Sequence, residues 1–83
     1  MSRKSKRQIC FEGIRFSDPG WEAEVIPVSG SKDVAIVMTK VDPYVNRKMY
    51  GAVLEQFCHR KTAEKLCKEL NQYKNEVLTT AFP

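Results

Sequence analysis

The stretch FCHRKTAEKLCKELN, Phe57 to Asn71, decides the fold. It holds two of the three cysteines, the only histidine and six charged side chains. At 100° per residue, Ala63, Leu66, Cys67, Leu70, Tyr73 and Val77 fall within one sector of about 120°. Lys61, Lys65, Lys68 and Gln72 fall around the opposite pole. Glu64 and Lys68 stand at the i,i+4 spacing that adds a few tenths of a kcal/mol. The stretch therefore predicts a two-sided helix from about Arg60 to Leu78, with one dry stripe that needs a sheet to lie on.

Upstream segments supply that sheet. WEAEVIPV (21–28) alternates, with Trp21, Ala23 and Val25 on one side and Glu22 and Glu24 on the other, as in a half-buried strand. VAIVMTKV (34–41) is apolar on both parities and suits a central strand. SDPG (17–20) and SGSKD (29–33) read as turns. In 42–58, Val45, Met49, Val53 and Phe57 fit a helix, but a PYVNRK loop followed by the strand MYGAVLEQF is preferred. QICFEGIRF (8–16) is rich in β-formers, and its apolar parity switches from Ile9 and Phe11 to Ile14 and Phe16. That switch predicts a strand with a bulge near Gly13.

The expected fold class is α+β. A three- to four-stranded antiparallel sheet carries one amphipathic C-terminal helix packed on one face. The alternative is three strands followed by two helices. The expected organisation is a disordered basic arm at 1–7, a single domain at 8–78 and a C-terminal tail at 79–83, whose Phe82 could dock on the body.

The 83 residues make one small domain with a thin stability margin. No apolar run approaches the roughly 18 residues of a membrane helix, and the basic start lacks the apolar stretch of a secretory leader. Three cysteines do not make an even disulfide set, so Cys10, Cys58 and Cys67 are expected as reduced thiols in the cytoplasm. The net charge is +4, but four of the fourteen cations are Arg3, Lys4, Lys6 and Arg7. The remaining ten cations balance the ten acids, so the body is neutral and the excess lies in the arm.

No catalytic constellation emerges. Cys58 and His59 are adjacent and diverge on a strand, while Cys67 belongs to the dry stripe. No pair among Cys10, Cys58, His59 and Cys67 has the spacing of a zinc knuckle. No glycine-rich phosphate loop is present. The expectation is no enzyme, no metal, no cofactor, no membrane and no small-molecule substrate.

Two binding readings remain. Apolar residues left on an uncovered sheet face would form a protein interface, with Trp21, Val34, Ile36, Met38, Tyr50 and Leu54 as candidates. This reading is favoured. It describes a small accessory protein, of the phage or plasmid type, acting stoichiometrically on a protein partner or as a homodimer. The alternative is DNA or RNA binding through Arg3, Lys4, Lys6, Arg7, Arg47, Lys48, Arg60, Lys61, Lys65 and Lys68. In that reading the 47–48 loop and the helix start would lie near each other. The junction Phe57-Cys58-His59-Arg60-Lys61-Thr62-Ala63 resembles that of small sheet-plus-helix DNA-binding domains, such as the arm-binding domains of phage-type integrases. That resemblance implies three strands and a helix, with DNA met by the sheet. The residues such domains use to read bases have no placeable counterparts here, and Glu22 and Glu24 would repel phosphate.

Overall fold

In the computed structural model, which describes residues 3 to 81, the elements run α1 (Lys6–Arg15), β1 (Glu22–Pro27), β2 (Val34–Asp42), β3 (Arg47–Phe57) and α2 (Arg60–Ala81). The three strands form an antiparallel meander in the order β1-β2-β3. Both helices pack on one face. The α+β class, the antiparallel sheet and the packed C-terminal helix are thus as the sequence predicts.

The segment 8–16 differs from the expected bulged strand: residues 8–15 lie in α1 and Phe16 is its C-cap. The parity switch blamed on a bulge is a helical period instead. Cys10 and Ile14, four residues apart, are fully buried, and Phe11 is half-buried beside them. Ser5 starts the helix, its Oγ accepting from the Gln8 N–H at 3.1 Å. Gly13 is the point of closest approach, since a Cβ there would stand 2.5 Å from Leu54 Cδ2 on β3. Lys6 and Arg7, expected in a disordered arm, form the first turn of this helix. At the other end α2 runs through 79–81 of the expected tail, and Phe82 lies outside the described residues.

Directly opposed residues in the ladder share a face, and the register sorts the sheet into two. On the helix side, Ala23 pairs with Met38, Val25 with Ile36, and Val34 with Phe57. These side chains pack with Cys10, Ile14, Ala63, Leu66, Cys67 and Leu70 as one core. Trp21 completes it where β3 approaches most closely; a Cβ on Gly51 would lie 2.7 Å from the indole Cζ3. The other face carries Glu22 opposite Thr39, Glu24 opposite Val37 and Ile26 opposite Ala35. No helix covers it.

Helix α2 is fixed by polar contacts as well as by its dry stripe. Asn71 Oδ1 accepts from the Ala23 N–H at 2.9 Å, and its Nδ2 donates to the Ala23 carbonyl at 3.0 Å. The side-chain amide thus pairs with the β1 backbone as a neighbouring strand would. Cys67 Sγ donates to the same carbonyl at 3.1 Å. One turn on, the buried Lys74 donates through Nζ to the Asp18 carbonyl at 2.7 Å. Its pKa is lowered by burial, against smaller opposing effects of Glu22 and Asp18. Replacing Asn71 with Ala leaves the Ala23 N–H unpaired and its carbonyl with only the weak Cys67 thiol donor. Urea denaturation of Asn71→Ala should show a loss of about 1–3 kcal/mol with an unchanged m-value.

Candidate interaction surfaces

The cysteines and histidine do not assemble. Cys10 and Cys67 are buried in the core, whereas Cys58 is exposed and all three are free thiols. Burial pushes the Cys10 thiol up to about 11, with smaller raising effects from Glu55 and Cys67 and a lowering one from Lys6. Burial likewise raises Cys67, helped by Glu24. His59 is exposed and serves α2 through its backbone, the carbonyl accepting from the Ala63 N–H at 3.2 Å. Among the described residues no three His, Cys, Asp or Glu side chains converge closely enough to hold a metal ion.

The basic candidates are divided. Lys4 pairs with Glu12 at 2.7 Å, and Lys6 donates to the Gln56 carbonyl at 2.6 Å beside the Phe57 ring. Arg7 pairs with Glu69 and lies 4.7 Å from the Phe11 ring centroid. Arg60 pairs with Glu64 at 3.0 Å and Lys48 with Glu24 at 2.7 Å. Arg3, Arg47, Lys61, Lys65 and Lys68 are exposed and make no ion pair among the described residues. The expected meeting of the 47–48 segment with the helix start does not occur. Arg47 opens β3 and Arg60 follows its end, so a strand of roughly 30 Å separates them. The strand reading was right, and it is the strand's length that parts the two groups.

The apolar candidates divide differently. Val34, Ile36 and Met38 are buried beneath the helices, with Trp21 and Leu54 partly buried against them. These five belong to the core and offer no free surface. Tyr50 alone of the six is on the uncovered face, opposite Thr39. There it is joined by Val41, Val53 and Ile26. Sequence reading missed Val53 because β3 contains two register shifts, opposite Ile36/Val37 and Val37/Thr39. These bring Tyr50 and Val53, three residues apart, onto the same face, which simple alternation forbids.

Exposed apolar surface is concentrated. Of the eight large hydrophobics exposed among the described residues, six are Val41, Tyr44, Val45, Met49, Tyr50 and Val53. All lie on the β2–β3 hairpin. Its end also projects: β1 pairs only as far as Thr39, while β2 and β3 stay paired out to Asp42 and Arg47. The tip is held by Asp42 Oδ1 accepting from the Tyr44 N–H at 2.9 Å, and Asn46 takes a φ of 50°.

On the uncovered face Ala35, Val37 and Thr39 form a buried floor between the side chains of the two outer strands. The Lys48–Glu24 pair straddles this floor from β3 to β1. The contact to Glu24 raises the pKa of Lys48. A cavity of about 480 Å³ opens beside the pair, lined by Glu22, Glu24, Thr39, Val41 and Lys48 among others. Glu24 Oε2 is shielded there and has no hydrogen-bond partner among the described residues.

The chain matches no protein-family profile, no curated protein and no solved structure. Among the described residues, no helix is long and apolar enough to cross a membrane.

The thiol environments give a direct test. At pH 8, a disulfide reagent should titrate one equivalent, Cys58, in the native protein, and all three thiols in guanidinium. The native state holds the Cys10 proton between its ordinary pKa of 9.0 and about 11, where the unfolded chain releases it. The thiol's contribution to stability is therefore intact below pH 9 and is lost as the pH rises toward 11.

Proposed function

We propose that this is a small, non-enzymatic, cytoplasmic binding protein that acts by stoichiometric contact with another polypeptide. Its docking surface is the uncovered sheet face together with the projecting β2–β3 hairpin. The observation that carries this reading is the concentration of exposed Val41, Tyr44, Val45, Met49, Tyr50 and Val53 on that one hairpin. Contiguous apolar exposure of this kind marks interfaces, whereas hydrophobics scattered singly do not. Three free thiols, two of them buried, support a reducing compartment.

Cross-linking mass spectrometry in the cells of origin tests it. Amine cross-links from Lys48 to another polypeptide, whether a different protein or a second copy, are expected. They should disappear in Tyr50→Ser/Val53→Ser, whose thermal midpoint should stay near that of the wild type because both side chains are exposed. Cross-links confined to the lysines of α2, or unchanged in the double variant, would defeat the reading.

Nucleic-acid binding is the second reading, supported by the exposed row Lys61, Lys65 and Lys68 on α2, which makes no ion pair among the described residues. It predicts that fluorescence anisotropy with a labelled duplex reports binding at low salt. Three phosphate contacts give a slope of about −2.7 in log K against log salt, abolished by changing the three lysines to Gln. Absence of binding at low salt removes this reading.

A further inference from the structure

We infer that the groove between α1 and the first turns of α2 is a binding site for a small amphipathic anion, an alkyl or aryl carboxylate. It lies in the helix layer, away from the uncovered sheet face, and does not rest on the docking surface proposed above. The groove opens where α1, the end of β3 and α2 meet. Its volume is about 360 Å³, within the range of small-molecule sites, and it is lined by Arg7, Phe57, Thr62, Lys65, Leu66 and Glu69.

The helical period puts four of these on one flank of α2. At 100° per residue, Lys65, Glu69, Thr62 and Leu66 fall within a sector of about 100°, between the lysine row and the middle of the dry stripe. Arg7 faces them from α1 and pairs across the groove with Glu69. Lys6, in the same turn of α1, donates to the Gln56 carbonyl at 2.6 Å, and its Nζ stands 5.4 Å from the Phe57 ring centroid.

The lining divides by chemistry. Phe57 and Leu66 are buried members of the core and give the groove an apolar floor. Lys65 and Thr62 are exposed above it, and among the described residues neither side chain has a hydrogen-bond or ion-pair partner. Arg7 and Glu69 cancel each other, so Lys65 is left uncompensated at the rim. An anionic head accepts from Lys65 Nζ and from Thr62 Oγ1, about one turn apart, while the apolar part of the same molecule lies on Phe57 and Leu66. Bonds between an ammonium and an anionic oxygen are stronger than neutral ones. An extended polyanion fits less well, because it brings no apolar group for the floor and Glu69 opposes a second negative charge. An apolar cation meets Lys65 and Arg7.

Titration of the isotope-labelled full chain with sodium octanoate, followed by amide chemical shifts, tests the site. The shifts should saturate and centre on the six lining residues. Acetate has the head without the tail, and octyltrimethylammonium has the tail with the opposite charge; each should bind at least about tenfold more weakly. Lys65→Gln should weaken octanoate by about tenfold, and Thr62→Val should weaken it by less. Arg15→Gln removes an exposed charge at the other end of α1 and should leave the affinity unchanged. All three positions are exposed, and circular dichroism of each variant checks that it is folded. Shifts that do not saturate overturn the inference, as do shifts centred on the β2–β3 hairpin or an affinity that Lys65→Gln leaves unchanged. Equal binding of acetate or of octyltrimethylammonium overturns it too, since the first would need no apolar floor and the second no cation.

Discussion

The architecture depends on how Asn71 of α2 holds the backbone of Ala23 on β1. An edge strand presents unpaired N–H and carbonyl groups, and leaving them part-buried without partners is costly. One side-chain amide satisfies both groups. It also fixes the rotation of α2, so that Ala63, Leu66, Cys67 and Leu70 meet the sheet while Lys61, Lys65 and Lys68 face water. Lys74, on the dry side of the same helix, extends the anchorage to the loop before β1.

With α2 committed to β1, α1 takes the remaining helix-side surface near β3, where Gly13 admits Leu54. Both helices are then used on one face. The central strand β2 is nevertheless buried on both faces, from Val34 to Thr39. On the far side its small residues are shielded only by the flanking side chains and by the Lys48–Glu24 bridge. The exposed apolar residues of the hairpin lie not on this buried stretch but at the end of β2, on the tip and along β3.

The candidate site was only partly legible in the sequence. The expectation of a left-over apolar face rested on the two-sided composition of 34–41 and on a single strong helix, and it led to the right question. The residues assigned to that face were mostly on the wrong side. Parity along β2 separates Val34, Ile36 and Met38 from Ala35, Val37 and Thr39 but does not say which set the helices choose. Along β3 the register shifts break parity altogether, so Val53 joins Tyr50 and Leu54 leaves for the core. The basic residues were misjudged for a related reason. Proximity was inferred from a strand, but a strand also sets distance, and Arg47 and Arg60 stand at its two ends.

Sequence alone determined the two-sided helix of 60–78, the strands from Trp21 and after Asp33, and the inward fate of Cys67, because local periodicity and burial of one stripe settle each of these. The strand ending at Phe57 was a close choice that the sequence favoured. Tertiary structure decided the state of 8–16. There β-forming composition and a helical period compete, and the helix wins because Cys10, Phe11 and Ile14 on one face close the core between α2 and β3. It also decided which face of the sheet stays open, since parity sorts β2 into two sets but only the packing of α1 and α2 selects Val34, Ile36 and Met38 for the core.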